Sequence, residues 1–526
     1  MKKYIALLLA AILCFGLVAC KDNTGTPETS TVNPTTSSGT STVTPPEKSQ
    51  IVISRPADSS DLDPIGEGNT NLWVFSLCLE PPLLPTEDGL NVMPGIAETW
   101  EVSPDGKTYT FHLYKDLKFS DGTPVTKADI EWSLTRILLA DDNAWAELYD
   151  NWEKVECPDD QTIVVTLNEI KATDEMIFAM FSSAVTSKAH YDKVGSQGFS
   201  QGPVGTGPYM FKEWHEGEYL LLEKNPYYRF ADQVKTDEIK FVVVPDDSVR
   251  IMQLQAEEVD IMTFVPYNRM DELNALDGIK AYVAQGTGAS YLVFNHTIET
   301  TKDVRVRKAL TMALNKEEIV QNVTYGHATV ATSFLPPGVP YSIADTITVP
   351  QYDPDAAKAL LADAGYPNGF GITITINAGN TAYEQMATIL KGQWSKIGVD
   401  LNIVPLETGT LRPLRNNLEL DLHFTGWTSD IPDPSQHVGY YCIAEASHNA
   451  NTGWEDAEVE AMAKQAAVEL DKGKRADLYK QIQQLYADAC PVVPIYYEGY
   501  PVAMKESVTG FVQIPLGNYR FDKLAK

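Results

Sequence analysis

The chain has 526 residues, a net charge of −30, and apolar and charged fractions of 44% and 21%. This length exceeds what one hydrophobic core usually supports, so we expect two or three folded lobes with the composition of an ordinary soluble protein. Binding to phosphate needs clustered Lys and Arg, so the strong negative charge argues against nucleic acid as a partner.

Residues 1–19 predict an export signal. Lys2 and Lys3 precede a short apolar run at 4–18, which is too short to favour a transmembrane helix. Leu-Val-Ala-Cys at 17–20 resembles the lipobox of bacterial lipoproteins, in which Cys20 becomes the lipidated first residue of the mature chain. The alternative is a plain signal peptide with an incidental cysteine. Residues 20–50, rich in Thr, Ser, Pro and Gly, predict a disordered tether.

Four cysteines remain once the signal is removed and Cys20 is lipidated. Export permits disulfides, and four cysteines allow three pairings, among which the sequence does not choose. The eight histidines are scattered, and no Cys/His spacing suits zinc. We therefore expect neither a metal site nor a cofactor. These four cysteines are Cys78, Cys157, Cys442 and Cys490.

The first half of the chain contains a clear hairpin pattern. At 94–113, two alternating runs flank Pro-Asp-Gly, which predicts two antiparallel strands joined by a tight turn. Thr126 then predicts the start of a helix, because Asp129 stands at the third helical position and can complete a capping box.

Residues 198–202 read G-x-S-x-G, which is the pattern of a hydrolase nucleophile elbow with Ser200 as the nucleophile. An elbow needs a strand directly before it and a helix directly after it, and neither pattern is present here. A secreted serine hydrolase therefore stays only as an alternative.

The second half alternates helical and strand patterns. Asp303 and Asp353 each predict the start of an amphipathic helix. Strands are predicted at 372–376 and 399–403, with a helix between them, which is the order of a mixed α/β lobe. A second lobe of this kind makes a cleft feasible.

An alternating run at 418–424 predicts a strand with one buried face. The loop predicted after it, at 426–434, carries Trp427, Asp430 and Asp433. An aromatic face beside a carboxylate could bind a cationic group of a ligand. The alternative is an ordinary turn with Trp427 in the core.

Taken in order, these segments resemble the family 5 extracellular solute-binding proteins of ABC importers, in particular the oligopeptide and dipeptide group. The resemblance is carried by Leu-Asp-Pro at 62–64, the block at 94–124, Gly-Thr-Gly-Pro-Tyr at 205–209, Asp-Val-Arg-Val-Arg at 303–307, Tyr-Asp-Pro at 352–354, Ala-Gly-Tyr-Pro at 364–367 and the loop at 426–434.

The resemblance implies an α/β fold of the periplasmic-binding-protein-like type II (cluster C), with two mixed α/β lobes that are joined by hinge crossovers. The first lobe would hold residues 51–290, with an extra subdomain at about 85–203, and would be completed by residues 500–526. The second lobe would be 291–499.

The resemblance also implies a ligand site in the cleft. Asp430 occupies the position that pairs with the amino terminus of the peptide in peptide-binding members, and Trp427 would wall the same pocket. Glu67 and Asn69 lie where relatives offer backbone hydrogen bonds and a second anion. Tyr291 would be an aromatic residue that lines the cleft at a crossover.

Two arginines before the strand, Arg412 and Arg415, are candidates for binding a carboxylate of the ligand, and Arg415 lies nearer to where some relatives place such a cation. The alternative is that both belong to a solvated surface.

The function that follows is a lipid-anchored, monomeric receptor on the outer face of the cytoplasmic membrane, at the cell surface or in the periplasm. It would capture a small peptide, deliver it to an ABC permease and catalyse no reaction. The alternative within the fold is a non-peptide ligand such as a metal chelate, a sugar or a haem. A structural surface protein is the third alternative.

Overall fold

A long mixed sheet runs through the protein and organises its cores. The computed structural model describes residues 48–66, 72–139, 145–431, 433–445 and 450–526, without the side chains of residues 147 and 174. These residues belong to one unit, Lys48–Lys526. The predicted signal, Cys20 and nearly all of the predicted tether lie outside the described residues, as do Glu67 and Asn69.

The strands in chain order are β1 Gln50–Arg55, β2 Leu83–Pro85, β3 Val92–Pro94, β4 Ala97–Val102, β5 Thr108–Leu113, β6 Trp152–Asp159, β7 Thr162–Leu167, β8 Tyr209–His215, β9 Tyr219–Lys224, β10 Glu238–Val243, β11 Ile261–Thr263, β12 Ile279–Phe294, β13 Thr329–Val330, β14 Phe370–Asn377, β15 Val399–Leu406, β16 Leu422–Trp427, β17 Val492–Lys505, β18 Val512–Gln513 and β19 Tyr519–Arg520.

The α-helices in chain order are α1 Leu72–Cys78, α2 Lys127–Leu139, α3 Asp174–Ile177, α4 Lys188–Phe199, α5 Asp247–Gln255, α6 Met270–Asn274, α7 Glu299–Lys302, α8 Val304–Met312, α9 Lys316–Val323, α10 Pro354–Asp363, α11 Thr381–Ser395, α12 Thr408–Asn416, α13 Pro434–Cys442, α14 Ala457–Val468 and α15 Lys472–Ala489. Short 3-10 turns lie at Ala146–Tyr149, Phe181–Ser183, Ala231–Gln233 and Tyr267–Arg269.

Within the described residues, the main sheet has eleven strands in the order β15-β14-β16-β12-β17-β11-β1-β10-β9-β8, and β13 pairs with β17. Strands β14 and β15 are parallel, whereas β12 is antiparallel to both of its neighbours, β16 and β17. The sheet is therefore mixed, as the alternation of strands and helices predicts.

The local signals in the first half are confirmed. Strands β4 and β5 form the predicted hairpin, and its turn contains Gly106 with φ +73°. At the start of α2, the backbone N–H of Thr126 donates to Asp129 Oδ2 at 3.0 Å, and Ile130 and Leu134 of this helix are buried. This hairpin belongs to a separate four-stranded sheet, β4-β5-β7-β6.

The strand that leads into the Trp427 loop differs from its prediction. The alternating pattern predicts a strand at 418–424, but β16 begins at Leu422 and ends at Trp427. Leu418 has φ +57° and follows the C-terminus of α12, so the first part of the pattern belongs to a helix-terminating turn. Trp427 is consequently the last residue of the strand and not a loop residue.

Two groups of hydrophobic cores lie at opposite ends of the long strands. The first core includes Phe111 and Phe178, and the fourth core includes Met262. The second core includes Trp394, and the third includes Tyr441. The helices and strands of the second half pack mainly around the second and third cores.

Strands β12 and β17 pass from one group of cores to the other. On β12, Ala281 belongs to the fourth core and Ala289 to the third. The pairing of the two strands shifts in register between Gln285 and Gly288. A Cβ on Gly499 would lie 2.4 Å from the carbonyl oxygen of Ala284, so glycine is needed where the two strands approach each other at the change of core.

The four cysteines within the described residues are free and buried, and they are Cys78, Cys157, Cys442 and Cys490. Burial raises the pKa of the Cys157 thiol to about 12. The structure therefore selects none of the three disulfide pairings that the sequence allows.

Candidate functional site

Trp427 is fixed at the end of β16 by aromatic packing. It pairs with Ala289 of β12 in the sheet. Its ring stacks on Tyr440 with the centroids 4.9 Å apart, and it meets the His437 ring edge-to-face at 4.5 Å. Trp427 is half-buried against the third core, so one part of the indole is held by the protein and another part stays accessible.

The chain after Trp427 is held by side chains of α13. Ser429 Oγ lies 2.7 Å from His437 Nδ1. Burial lowers the pKa of His437 to about 3, so this imidazole is neutral near pH 7. The backbone N–H of Ser429 also donates to Thr287 Oγ1 at 3.2 Å. This bond ties the loop to β12 at the point where its pairing with β17 shifts in register.

Asp430 forms a reciprocal pair with Gln436. The amide of Gln436 donates to Asp430 Oδ2 at 2.7 Å, and its Oε1 accepts from the backbone N–H of Asp430 at 2.8 Å. Both contacts come from the first turns of α13, so the direction of the carboxylate is set by a helix that packs on the third core.

The same loop reaches the opposite group of cores. Ile431 is 2% exposed and belongs to the first core. Asp430 lines a cavity of about 10 Å³ together with Leu72, Phe181 and Leu516. A segment that starts on the third core therefore ends in the first core, and Asp430 lies at the boundary between them.

Asp433 has a different environment from Asp430. It is 2% exposed, and it caps α13 by accepting from the backbone N–H of Ser435 at 2.8 Å. It also accepts two hydrogen bonds from Arg475, at 2.7 and 2.8 Å. These contacts fix the start of α13 and so hold the loop before it in shape.

The two candidate arginines lie on α12, but they differ in exposure. Arg412 is exposed, whereas Arg415 is part-buried, and Arg415 Nε has no hydrogen-bond partner among the described residues. Burial lowers the pKa of His423 to about 3, and the positive charge of Arg415 contributes to that shift. Burial raises the pKa of Tyr440, and the positive charge of Arg415 partly opposes this effect. Trp427 stacks on Tyr440, so of the two arginines Arg415 has the closer link to the loop.

Tyr291 does not line a cleft, which corrects the expectation from the sequence. It is 0% exposed and belongs to the third core. Its hydroxyl donates to the carbonyl of Phe334 at 2.8 Å, and its ring lies 5.2 Å from Tyr441. Tyr291 stands on β12, which has strands on both sides, so its side chain packs inside the protein.

Glu498 is a residue that the sequence analysis missed as a site candidate. It stands on β17 opposite Gly288, is part-buried, and burial raises the pKa of its carboxyl group. The signal was a lone acid in an aromatic stretch, Tyr-Tyr-Glu-Gly-Tyr at 496–500. Only the register of the neighbouring strands shows which residues lie beside it.

The hydrolase alternative finds no support at Ser200. Helix α4 ends directly before this residue, and the Ser200 hydroxyl donates to the carbonyl of Ser196 at 3.1 Å. An elbow requires a strand in that place. Across the described ranges, no three His, Cys, Asp or Glu side chains are grouped so that they could hold a metal ion. In the same ranges, no helix is both long enough and apolar enough to cross a membrane.

Comparisons with known proteins identify the family of this chain. Residues 91–448 match the family described as bacterial extracellular solute-binding proteins, family 5 middle. The chain is 31% identical to the di/tripeptide-binding protein 1 of Pseudomonas aeruginosa over 458 residues, which cover 82% of this chain and 85% of that protein. It is 30% identical to the heme-binding protein A of Haemophilus influenzae over 459 residues, which cover 81% of this chain and 83% of that protein.

The fold is also found in solved structures. The structure of HbpA2 from Haemophilus parasuis superimposes with a TM-score of 0.82 at 27% identity, covering 90% of this chain and 99% of that one. The architecture is that of the type II periplasmic binding proteins. This chain thus belongs to the family 5 bacterial extracellular solute-binding proteins, which are the substrate-binding components of ABC importers and not enzymes.

Proposed function

We propose that this protein is a lipid-anchored receptor that captures a small peptide between two lobes and delivers it to an ABC permease. The first lobe comprises residues 51–290 and 500–526, with a subdomain at about 85–203, and the second comprises residues 291–499. The distribution of hydrophobic cores along β12 and β17 supports this division.

One observation carries the proposal: the segment 427–431 begins on the third core and ends in the first core. A ligand in the cleft between two lobes must contact groups that lie where the lobes meet. Asp430 occupies that boundary, and its carboxylate is oriented by Gln436. This position suits a group that takes part in ligand binding and in closure of the lobes.

In this proposal the ammonium group at the amino terminus of the peptide pairs with Asp430, and Trp427 forms one wall of the pocket. Opposite charges about 4 Å apart attract by about 4 kcal/mol at an effective dielectric near 20, before the cost of desolvation. Arg415, and less directly Arg412, would bind a carboxylate of the ligand. Glu67 and Asn69 would supply backbone hydrogen bonds and a second anion.

The alternative ligand within the fold is a haem, because a relative of similar identity is a heme-binding protein. A screen of ligand-dependent thermal stabilisation separates the alternatives. It compares di- and tripeptides with sugars, metal chelates and haem, using protein from which bound ligands have been removed. We expect peptides to raise the midpoint of unfolding, since a ligand that binds only the folded state stabilises it. Stabilisation by haem and by no peptide would contradict the proposal.

We also propose that residues 1–19 are a lipoprotein signal, that Cys20 carries the lipid and that residues 20–47 are the tether. The predicted end of the tether at residue 50 is corrected, because the Ser49 backbone N–H donates to Asp237 and Gln50 begins β1. Replacing Cys20 with serine removes the residue that would carry the acyl chains, and these chains supply the stable attachment to the membrane. We therefore expect the variant to move from the membrane fraction to the soluble exported fraction. Detergent partitioning of cell fractions measures this change. The matched control is Cys157→Ser, which removes a cysteine of the folded part and should leave the partitioning unchanged. Equal partitioning of Cys20→Ser and the unchanged protein would refute lipidation.

A further inference from the structure

Glu498 is a carboxylate without a protein partner at the change of core. It makes no hydrogen bond and no ion pair within the described residues. A Cβ on Gly426 would lie 3.3 Å from Glu498 Oε1, and a Cβ on Gly288 would lie 3.3 Å from Glu498 Oε2. Two glycines on two neighbouring strands, β16 and β12, therefore provide the space that this carboxylate group occupies.

Hydroxyl groups and aromatic rings lie near this carboxylate. Burial alone raises its pKa, and no positively charged group among the described residues contributes to that shift. Arg415 acts on the same Tyr383 ring as Glu498, and His327 lines a cavity with Glu498, but neither forms an ion pair with it. A Cβ on Gly288 would lie 3.1 Å from the Thr428 hydroxyl as well as 3.3 Å from Glu498. The negative charge of Glu498 adds to the effect of burial in raising the pKa of Tyr267 and of Tyr383 to about 12. It adds in the same direction to the raised pKa of Tyr496. Burying a carboxylate without a positive partner is costly, so the position favours a cation that the protein itself does not supply.

Glu498 lies near the segment that contains Thr428 and Asp430. The Thr428 hydroxyl and the Glu498 carboxylate lie beside the same residue, Gly288. Thr428 precedes Asp430 by two residues, and two residues of extended chain span at most about 7 Å. A ligand whose ammonium group pairs with Asp430 thus brings its first or second side chain close to Glu498. The tyrosines come from both sides of the boundary, since Tyr267 is close to β11 in the chain and Tyr383 packs on the second core.

We infer that Glu498 is a specificity-determining residue that selects peptides with a second positive charge, a Lys or Arg side chain at the first or second position. This inference rests on the proposed function, and it names the class of peptide. A cation at this place would pair with Glu498 away from bulk water, where such a pair is stronger than on the surface. The net charge of −30 would further raise the rate at which cationic peptides arrive.

Isothermal titration with matched peptides tests the inference. Ala-Lys-Ala and Lys-Ala-Ala are compared with the same peptides in which norleucine, a neutral side chain of similar length, replaces lysine. We expect the protein to bind at least one lysine peptide about tenfold or more tightly than its norleucine counterpart. In Glu498→Gln the two affinities should agree within about twofold, and the preference of the unchanged protein should weaken at high salt.

The matched control is Glu506→Gln, because Glu506 is exposed and lies just beyond β17. This variant should keep the preference for lysine. If peptides bind but the unchanged protein shows no preference, or if Glu498→Gln retains it, the inference is wrong while the proposed function stands. If no peptide binds, the proposed function fails and the inference fails with it. The comparison within the unchanged protein needs no variant to fold.

Discussion

Replacing Asp430 with alanine should weaken the binding of a small peptide by about 2–5 kcal/mol. Truncating one member of a buried, hydrogen-bonded charge pair leaves the other charge desolvated without a partner. Asp430→Asn is the sharper variant, because its side-chain oxygen can still accept the amide N–H of Gln436 while the negative charge is removed. Isothermal titration of both variants with a peptide that binds the unchanged protein measures the loss.

The same experiment with an N-acetylated peptide identifies the group that Asp430 contacts. Acetylation removes the positive charge of the amino terminus, so it should weaken binding to the unchanged protein strongly and binding to Asp430→Asn only slightly. The exposed Glu506→Gln provides a control for removal of one negative charge elsewhere. Equal affinity of the unchanged protein for free and acetylated peptides would exclude the role proposed for Asp430.

Replacing Asp433 with alanine should lower the free energy of unfolding by about 3–5 kcal/mol. The change removes both hydrogen bonds to Arg475 and leaves that guanidinium group buried without its counter-charge, which is the costly case for a buried ion pair. It also removes the cap of α13, a loss of about 1 kcal/mol for a typical helix. Urea unfolding followed by fluorescence or circular dichroism measures the change.

Asp456→Ala separates the two contributions, because Asp456 caps α14 through the backbone N–H groups of Glu458 and Val459 and has no ion pair within the described residues. We expect it to cost only about 1 kcal/mol. The double variant Asp433→Ala/Arg475→Met should lose less free energy of unfolding than the sum of its two single variants, since no unpaired charge remains. Additive losses would show that the pair contributes nothing beyond its separate members.

Local chemistry explains which parts of the fold could be predicted from the sequence. The hairpin follows from Pro-Asp-Gly, and α2 follows from Thr126 and Asp129, because a turn or a cap depends on residues within a few positions. The parallel pair β14 and β15 follows from the strand, helix, strand order. These elements need no knowledge of distant contacts.

The sequence predictions were wrong or incomplete where the structure depends on pairing between strands that are distant in sequence. The pattern at 418–424 alternates as a strand should, yet the pairing with β12 fixes β16 at Leu422–Trp427. Tyr291 was expected at a cleft, but β16 and β17 flank β12 and its ring packs beside Tyr441. Glu498 could not be singled out, since Gly288 and Gly426 are distant from it in sequence and only the sheet register brings the three together.

Ile431 connects the Asp430 segment to the first core and has a kinetic consequence. When the proposed lobes separate, this side chain leaves the core and becomes exposed to water. The transfer of its apolar surface costs about 2 kcal/mol of free energy. A cost of that size in the opening step slows ligand release by up to about thirtyfold. The residence time of a captured peptide thus depends partly on a side chain that need not touch it, so the lifetime of the complex and the choice of ligand can vary independently.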